Sequence, residues 1–266
     1  MKRRIPRWLR RLSLSVAAVA ALVVALLLLL QTPAAKRIVA ERLASTLTAA
    51  SGFQVQIGAI EGTLPFDAEI TDVRVSDAGG LWLTADRLKI GWRPTDLLAR
   101  RLHVTAIAVD TLALARLPAA QPEEPTEKRG IDLSLALPRL PLPTTVDGLQ
   151  IKRVVLAPAV IGEPAILDLT GRAALGGAAR DAVVALAMTR IDDRNGTARL
   201  QLGQSGSPAQ LTLDAVIDEP AGGLIARVLS LPGLAPVSLR LAGNGPASDW
   251  RGQLRAVAGP TRLDGD

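Results

Sequence analysis

The side chains able to do chemistry are few and scattered. His103 is the single histidine, set in the strand-like Leu102-His103-Val104, where it reads as a strand side chain rather than a base or a ligand. Cysteine is absent, which removes disulfides, thiolate nucleophiles and cysteine-held metals together. Ser205 lies in Gly203-Gln204-Ser205-Gly206, a turn without the spacing of a nucleophile elbow. Asp192-Asp193 has the charge to hold a cation, yet beside Asn195-Gly196 it reads as a solvated turn. His, Asp and Glu never cluster at metal-ligand spacing. Gly243-Asn244-Gly245-Pro246 lacks the third glycine and the following helix of a dinucleotide loop. The expectation is therefore a non-enzymatic protein with no cofactor and no metal.

Charge and aromatic content narrow the partners. The net charge of +6 and pI near 10.6 suggest nucleic acid at first sight. However, Lys2, Arg3, Arg4, Arg7, Arg10 and Arg11 all precede one apolar run, and the remaining basic residues equal the 25 acidic ones in number. The body is neutral, and the excess belongs to membrane topology. With two Phe, four Trp and no Tyr, a base-stacking platform is not expected either. Trp82, Trp92 and Trp250 each stand in or beside a strand, where a large amphipathic ring is good filling.

The elements that must position any site begin with residues 12–30, which carry no charge and end in six consecutive Ala and Leu residues. A bilayer-crossing helix needs about 20 mainly apolar residues, and the basic cluster before the run places the amino terminus in the cytoplasm. A cleaved signal peptide is the competing reading. Its apolar core is shorter, about 7–15 residues, and Thr32-Pro33-Ala34-Ala35 is a poor cleavage site. Residues 31–52 then predict a short helix, with Thr32 as cap, Pro33 in the first turn, Val39, Leu43 and Leu47 on one face, and Gly52 as stop. That helix packs on the first strands, or lies at the membrane surface through Lys36, Arg37 and Arg42.

After Gly52 the period becomes two. Alternation runs through residues 131–137, 167–175, 200–202, 211–215 and 237–241, with turn signals at Asp77-Ala78-Gly79-Gly80, Asp193-Arg194-Asn195-Gly196 and Ser205-Gly206-Ser207-Pro208. Asn195-Gly196 favours a two-residue hairpin turn. The pattern predicts a mainly β fold, a long antiparallel meander interrupted by a polar loop at 118–130 and by a short helix within 219–233, where Leu224, Val228 and Leu229 stand at helical spacing. Two short helices are too little to cover the apolar face of ten or more strands. Either two sheets close into a sandwich or barrel, or one sheet curls and leaves an apolar trough. Closure alone favours the sandwich.

Several phrases taken in order then carry a resemblance. They are the apolar run, Thr32-Pro33 and Gly52, then Ile60-Glu61-Gly62-Thr63-Leu64-Pro65, Ser76-Asp77-Ala78-Gly79-Gly80-Leu81-Trp82-Leu83 and Ile90-Gly91-Trp92-Arg93-Pro94-Thr95-Asp96-Leu97-Leu98. Leu112-Ala113-Leu114-Ala115-Arg116-Leu117-Pro118, Gly222-Gly223-Leu224-Ile225-Ala226-Arg227 and Gly245-Pro246-Ala247-Ser248-Asp249-Trp250-Arg251-Gly252 follow. This series resembles the amino-terminal region of the TamB family, inner-membrane subunits of translocation and assembly modules within the AsmA-like group. The resemblance implies an inner-membrane anchor, a periplasmic curled sheet forming an open apolar trough, and phospholipid movement toward the outer membrane. It also implies assembly of outer-membrane proteins with a TamA-type barrel. Members are several times longer, so this chain reads as their amino-terminal part, lacking the carboxy-terminal region that meets the barrel. The trough lining expected on this basis is Leu133, Leu135, Leu137, Leu167, Leu169, Leu175, Leu211, Leu213, Ile217, Leu239 and Leu241. The alternative function is a scaffold whose strand edges receive client strands.

Overall fold

A computed structural model describes residue 21 and residues 24–119, 142–176, 181–206, 209–246 and 249–266. Residues 24–30 are helical, and among the described residues no helix is long and apolar enough to cross a membrane. Most of the run expected to span lies outside the described residues, as does the strand expected at 131–137.

Helix α1 (Pro33–Ser51) starts and stops where the sequence signals fall. The Thr32 hydroxyl accepts the Ala35 N–H, proline opens the first turn, and Gly52 closes the helix at φ 72°, a left-handed position that favours glycine. Its inner face meets the first strands: Ala40 joins Ile60, Leu64 and Ile70 in a buried cluster flanked by Leu30, Val39 and Leu43. Leu47, expected on that face, is exposed instead. Phe53 follows, edge-on to Trp82 with ring centroids 5.3 Å apart.

The strands are β1 (Gln54–Gln56), β2 (Ala59–Glu61), β3 (Asp67–Asp77), β4 (Gly80–Trp92), β5 (Leu102–Leu114), β6 (Thr144–Leu156), β7 (Ala165–Leu175), β8 (Ala182–Arg190), β9 (Thr197–Ser205), β10 (Gln210–Glu219), β11 (Val237–Pro246), β12 (Arg251–Ala258) and β13 (Thr261–Gly265). All thirteen belong to one sheet, in chain order, with β1 and β2 both pairing β3 along the first edge. The sheet is open: β13 and the first edge do not meet. The sandwich alternative is therefore overturned, because no second sheet stands among the described residues. Gly58 makes the kink between β1 and β2 possible, since any Cβ there would lie 2.8 Å from the Asp72 Cβ.

One pairing departs from the expected meander. β5 and β6 run parallel, joined by residues 115–143, which must return from one end of the strands to the other. Two rims follow. The near rim holds the Leu64–Pro65 turn beside the end of the 24–30 helix, where the Gln31 amide donates to the Leu64 carbonyl and Lys36 Nζ donates to the Gly62 carbonyl at 2.7 Å. The far rim holds the Asp77–Gly80 turn. It also holds α2 (Pro158–Ile161) and α3 (Leu224–Val228), the short helices that join β6 to β7 and β10 to β11. At the far rim Arg116 forks onto Asp77 and holds that carboxyl well below the usual carboxylate range.

His103 clamps the parallel pair at the near rim. Its Nε2 lies 2.7 Å from Asp147 on β6 and its Nδ1 2.9 Å from Asp96. Hydrogen bonding to Asp147, then to Asp96, raises its pKa above 6.5, against opposing contributions from loss of hydration and, less, from the Arg93 charge. A pKa raised on folding stabilises the fold fully below the unfolded value and loses that contribution as pH climbs through the folded one. The thermal midpoint should therefore fall as pH rises above 6.5, and His103→Gln should flatten that part of the profile. An unchanged slope in the variant would assign the pH dependence elsewhere.

Candidate functional site

Register makes the site. Ile60, Ile70, Leu88, Val109, Ile151, Leu169, Met188, Ala198, Ile217, Leu239, Ala256 and Leu263 stand opposite one another, neighbour to neighbour, from β2 to β13. Every member of this row is apolar. At about 4.8 Å per strand the row is about 50 Å long. A second row on the same face reads Ala68, Ile90, Ile107, Leu149, Gly171, Leu186, Leu200, Ala215, Leu241 and Leu254. The opposite face differs: Glu69, Lys89, Ala108, Gln150, Thr170, Ala187, Arg199, Val216, Arg240, Arg255 and Asp264 form one of its rows.

The expected lining residues fall on the apolar face. Leu169, Ile217 and Leu239 belong to the first row and Leu241 to the second. Leu213 pairs Leu202, Leu175 pairs Ala182, Leu211 pairs Gln204, and Leu167 pairs Val154 at the far rim. Leu133, Leu135 and Leu137 lie outside the described residues. Leu186, Leu200 and Leu202 line the face equally but were absent from the expected set, although simple alternation along β8 and β9 marks them. Ile107, Val109, Leu149 and Ile151 were harder to find. On β6 the register shifts twice against β7, between Val146 and Leu149 and between Ile151 and Val154. Each bulge turns an apolar step of two into a step of three. Trp250 fills the face where Gly243 and Gly252 pair, its ring occupying the space their side chains would take.

Among the described residues, helical cover lies in two places. The α1 cluster shelters the first edge. At the far rim, Leu224 of α3 packs on Ala165 and Leu167, with Ile161 of α2 alongside. Elsewhere on the face Val109, Ala182, Leu202 and Leu211 are buried and most other members half-buried, and no bulky side chain among the described residues is fully buried. The two rows, about 6.6 Å apart and about 45–50 Å long, make an apolar strip of about 600 Å² in plan. The largest apolar patch of a typical monomer is about 300–600 Å² and often functional, so the strip stands at the top of that range.

The far-rim cover is fastened by charge. Arg190, only 5 % exposed, reaches Asp192 through Nε at 2.8 Å and Glu163 through Nη2 at 3.1 Å. Arg194 and Arg227 also reach Glu163, at 2.8 and 2.6 Å. Arg227 belongs to α3, so one glutamate ties that helix to the β8–β9 loop. Glu219 accepts the Ile225 N–H at 2.7 Å and fixes the helix start. Burial disfavours the Glu163 carboxylate, but the Arg190 hydrogen bond and the charges of Arg194 and Arg227 prevail and lower its pKa. Asp192 is lowered too, by Arg190 and by the Arg194 and Ile166 N–H groups, against its own burial. The solvated turn expected at Asp192-Asp193 is thus corrected: Asp192 is engaged inward. The two-residue turn expected at Asn195-Gly196 becomes a longer loop between Arg190 and Thr197, because Asp192 is captured there.

No group of three or more His, Asp or Glu stands at metal-holding distance among the described residues. No family model matches the chain, and no curated protein or solved structure matches it either.

Two outcomes check this description. Leu167→Ala, beneath α3, should cost about 2–4 kcal/mol, whereas Leu200→Ala, on the open strip, should cost well under half as much. Equal losses in denaturant titrations would mean that the strip is covered. Glu163→Gln should speed amide exchange at Ile225 and Leu231. Because the Glu163 and Asp192 pKa values are depressed on folding, the wild-type fastening holds above the ordinary carboxylate range and fails as pH falls through the depressed values.

Proposed function

We propose that this chain is anchored in the inner membrane of a Gram-negative cell by residues 12–30, with its amino terminus in the cytoplasm and its sheet in the periplasm. There the sheet curls into a trough that carries phospholipid toward the outer membrane, in the manner of the TamB and AsmA-like proteins that the sequence resembles. The observation supporting this reading is the unbroken apolar row from Ile60 to Leu263. An acyl chain lying along it exchanges water for an apolar side chain at every strand. Each buried CH₂ is worth about 0.8 kcal/mol, so a sixteen-carbon tail half-removed from water gains about 6 kcal/mol. That holds a lipid without trapping it. Repetition of near-equivalent rows leaves no deep well between one strand and the next, so the lipid slides. Headgroups stay at the wet mouth of the trough. Movement then follows a concentration gradient or an external motor, and no covalent step is involved.

A second reading rests on a different observation. Along the first edge, β1 and β2 each pair β3 alone among the described residues, and β1 exposes Gln54 and Gln56. An edge of that kind accepts a further strand, as an assembly scaffold for outer-membrane proteins would require.

Native mass spectrometry with lipid extraction on the detergent-purified full chain separates the two. The conduit predicts phospholipid bound to wild type and largely lost from Leu169→Asp/Leu213→Asp, with the circular dichroism of the sheet retained. Equal lipid in both would remove this face from the lining. Co-purifying polypeptides without lipid would favour the scaffold.

A further inference from the structure

The near rim carries exposed apolar side chains that the sheet does not use. The β4–β5 connection holds a two-turn 3₁₀ helix, Pro94–Ala99, closed by Arg100 in the left-handed region at φ 53°. Leu98, on this helix, is 91 % exposed, and Leu97 and Phe66 of the neighbouring β2–β3 turn are exposed as well. The two connections are joined: Trp92 donates its indole N–H to the Pro65 carbonyl and its backbone N–H to the Phe66 carbonyl.

Three exposed arginines, Arg93, Arg100 and Arg101, frame the leucines, and none forms an ion pair among the described residues. The turn's own carboxylate, Asp96, is occupied by His103, so its outward charge is positive. The same corner touches the 24–30 helix. Leu30 packs on the Leu64 cluster and the Gln31 amide donates to the Leu64 carbonyl, while Leu26, Leu28 and Leu29 are exposed along the helix. β5 lies two strand spacings from β3, about 10 Å, so the arginines and leucines sit close beside the point where the helix ends.

We propose that this corner is a second membrane contact: Phe66, Leu97 and Leu98 insert into the outer leaflet of the inner membrane, and Arg93, Arg100 and Arg101 bind its anionic headgroups. Apolar groups of such surfaces sit about 5–10 Å into the headgroup–acyl boundary, with basic residues at their margin. The contact adds a second attachment point to the one at Gln31 and so fixes the tilt of the first strands against the bilayer. It holds the open end of the apolar face against the bilayer. The proposal rests on residues 12–30 being a membrane anchor, and the test reads the two separately.

The chain has no cysteine, so single-cysteine variants label cleanly. Full-length Leu98→Cys, Leu29→Cys and Leu117→Cys, each carrying bimane, are reconstituted into vesicles of phosphatidylethanolamine and phosphatidylglycerol containing spin-labelled lipid. Leu117 follows the far end of β5 and serves as the distant control. Quenching at Leu98 should approach that at Leu29 and exceed that at Leu117 severalfold. Quenching at Leu29 with Leu98 no stronger than Leu117 would overturn the second contact and leave the anchor standing. Quenching at neither Leu29 nor Leu98 would overturn both.

Discussion

Backbone hydrogen bonding decides where every side chain in this sheet points. Residues alternate between faces, so a slip of one position in any strand pairing would turn that strand's leucines toward water. The pairings hold a single phase across the whole sheet. Where a bulge threatens the phase it is compensated. Val104, Ile107, Val109, Leu112 and Leu114 on β5 match Val146, Leu149, Ile151, Val154 and Leu156 on β6 one for one. The two parallel strands make the same irregular steps, so both stay in phase with β4 and β7. An apolar face that crosses the sheet without a break is the direct result.

Stability in such a molecule is distributed. Each inner strand is held by its two neighbours, and among the described residues cover is concentrated at α1 and at α3. The two covers rest on different physics. α1 is held mainly by apolar packing and by its caps. α3 is short and exposes Val228 and Leu229, and it is secured by arginines converging on Glu163. Removing one partner from so enclosed a network leaves an unpaired charge, which is costly. The helix therefore remains in place although little apolar area sits beneath it.

Much of this was legible in the residues. The caps of α1, the strands β7, β9, β10 and β11, and the leucines on them follow from period and turn chemistry alone. The parallel step was not legible, because the pattern of β5 and β6 is the same whichever way they pair. The bulges hid half of the lining on those strands by breaking the period that reveals it. Asp192 misled for another reason. Aspartate beside Asn-Gly is ordinary turn chemistry, and only the fold brings Arg190 from the end of β8 to meet it. The openness of the sheet depended on what covers the face, which no local pattern records.

The parallel step has a consequence for the layout of the whole chain, best put as parity. In an uninterrupted meander each connection alternates between the two ends of the strands, and the order never changes. One full-length return exchanges the ends for every connection that follows. With it, the β6–β7 and β10–β11 connections, which contain α2 and α3, fall opposite the end where α1 begins. Without it they would fall at the same end as the Leu64–Pro65 turn and the Pro94–Ala99 helix. The long connection at 115–143 thus brings the two helix-bearing later connections together at one end of the sheet.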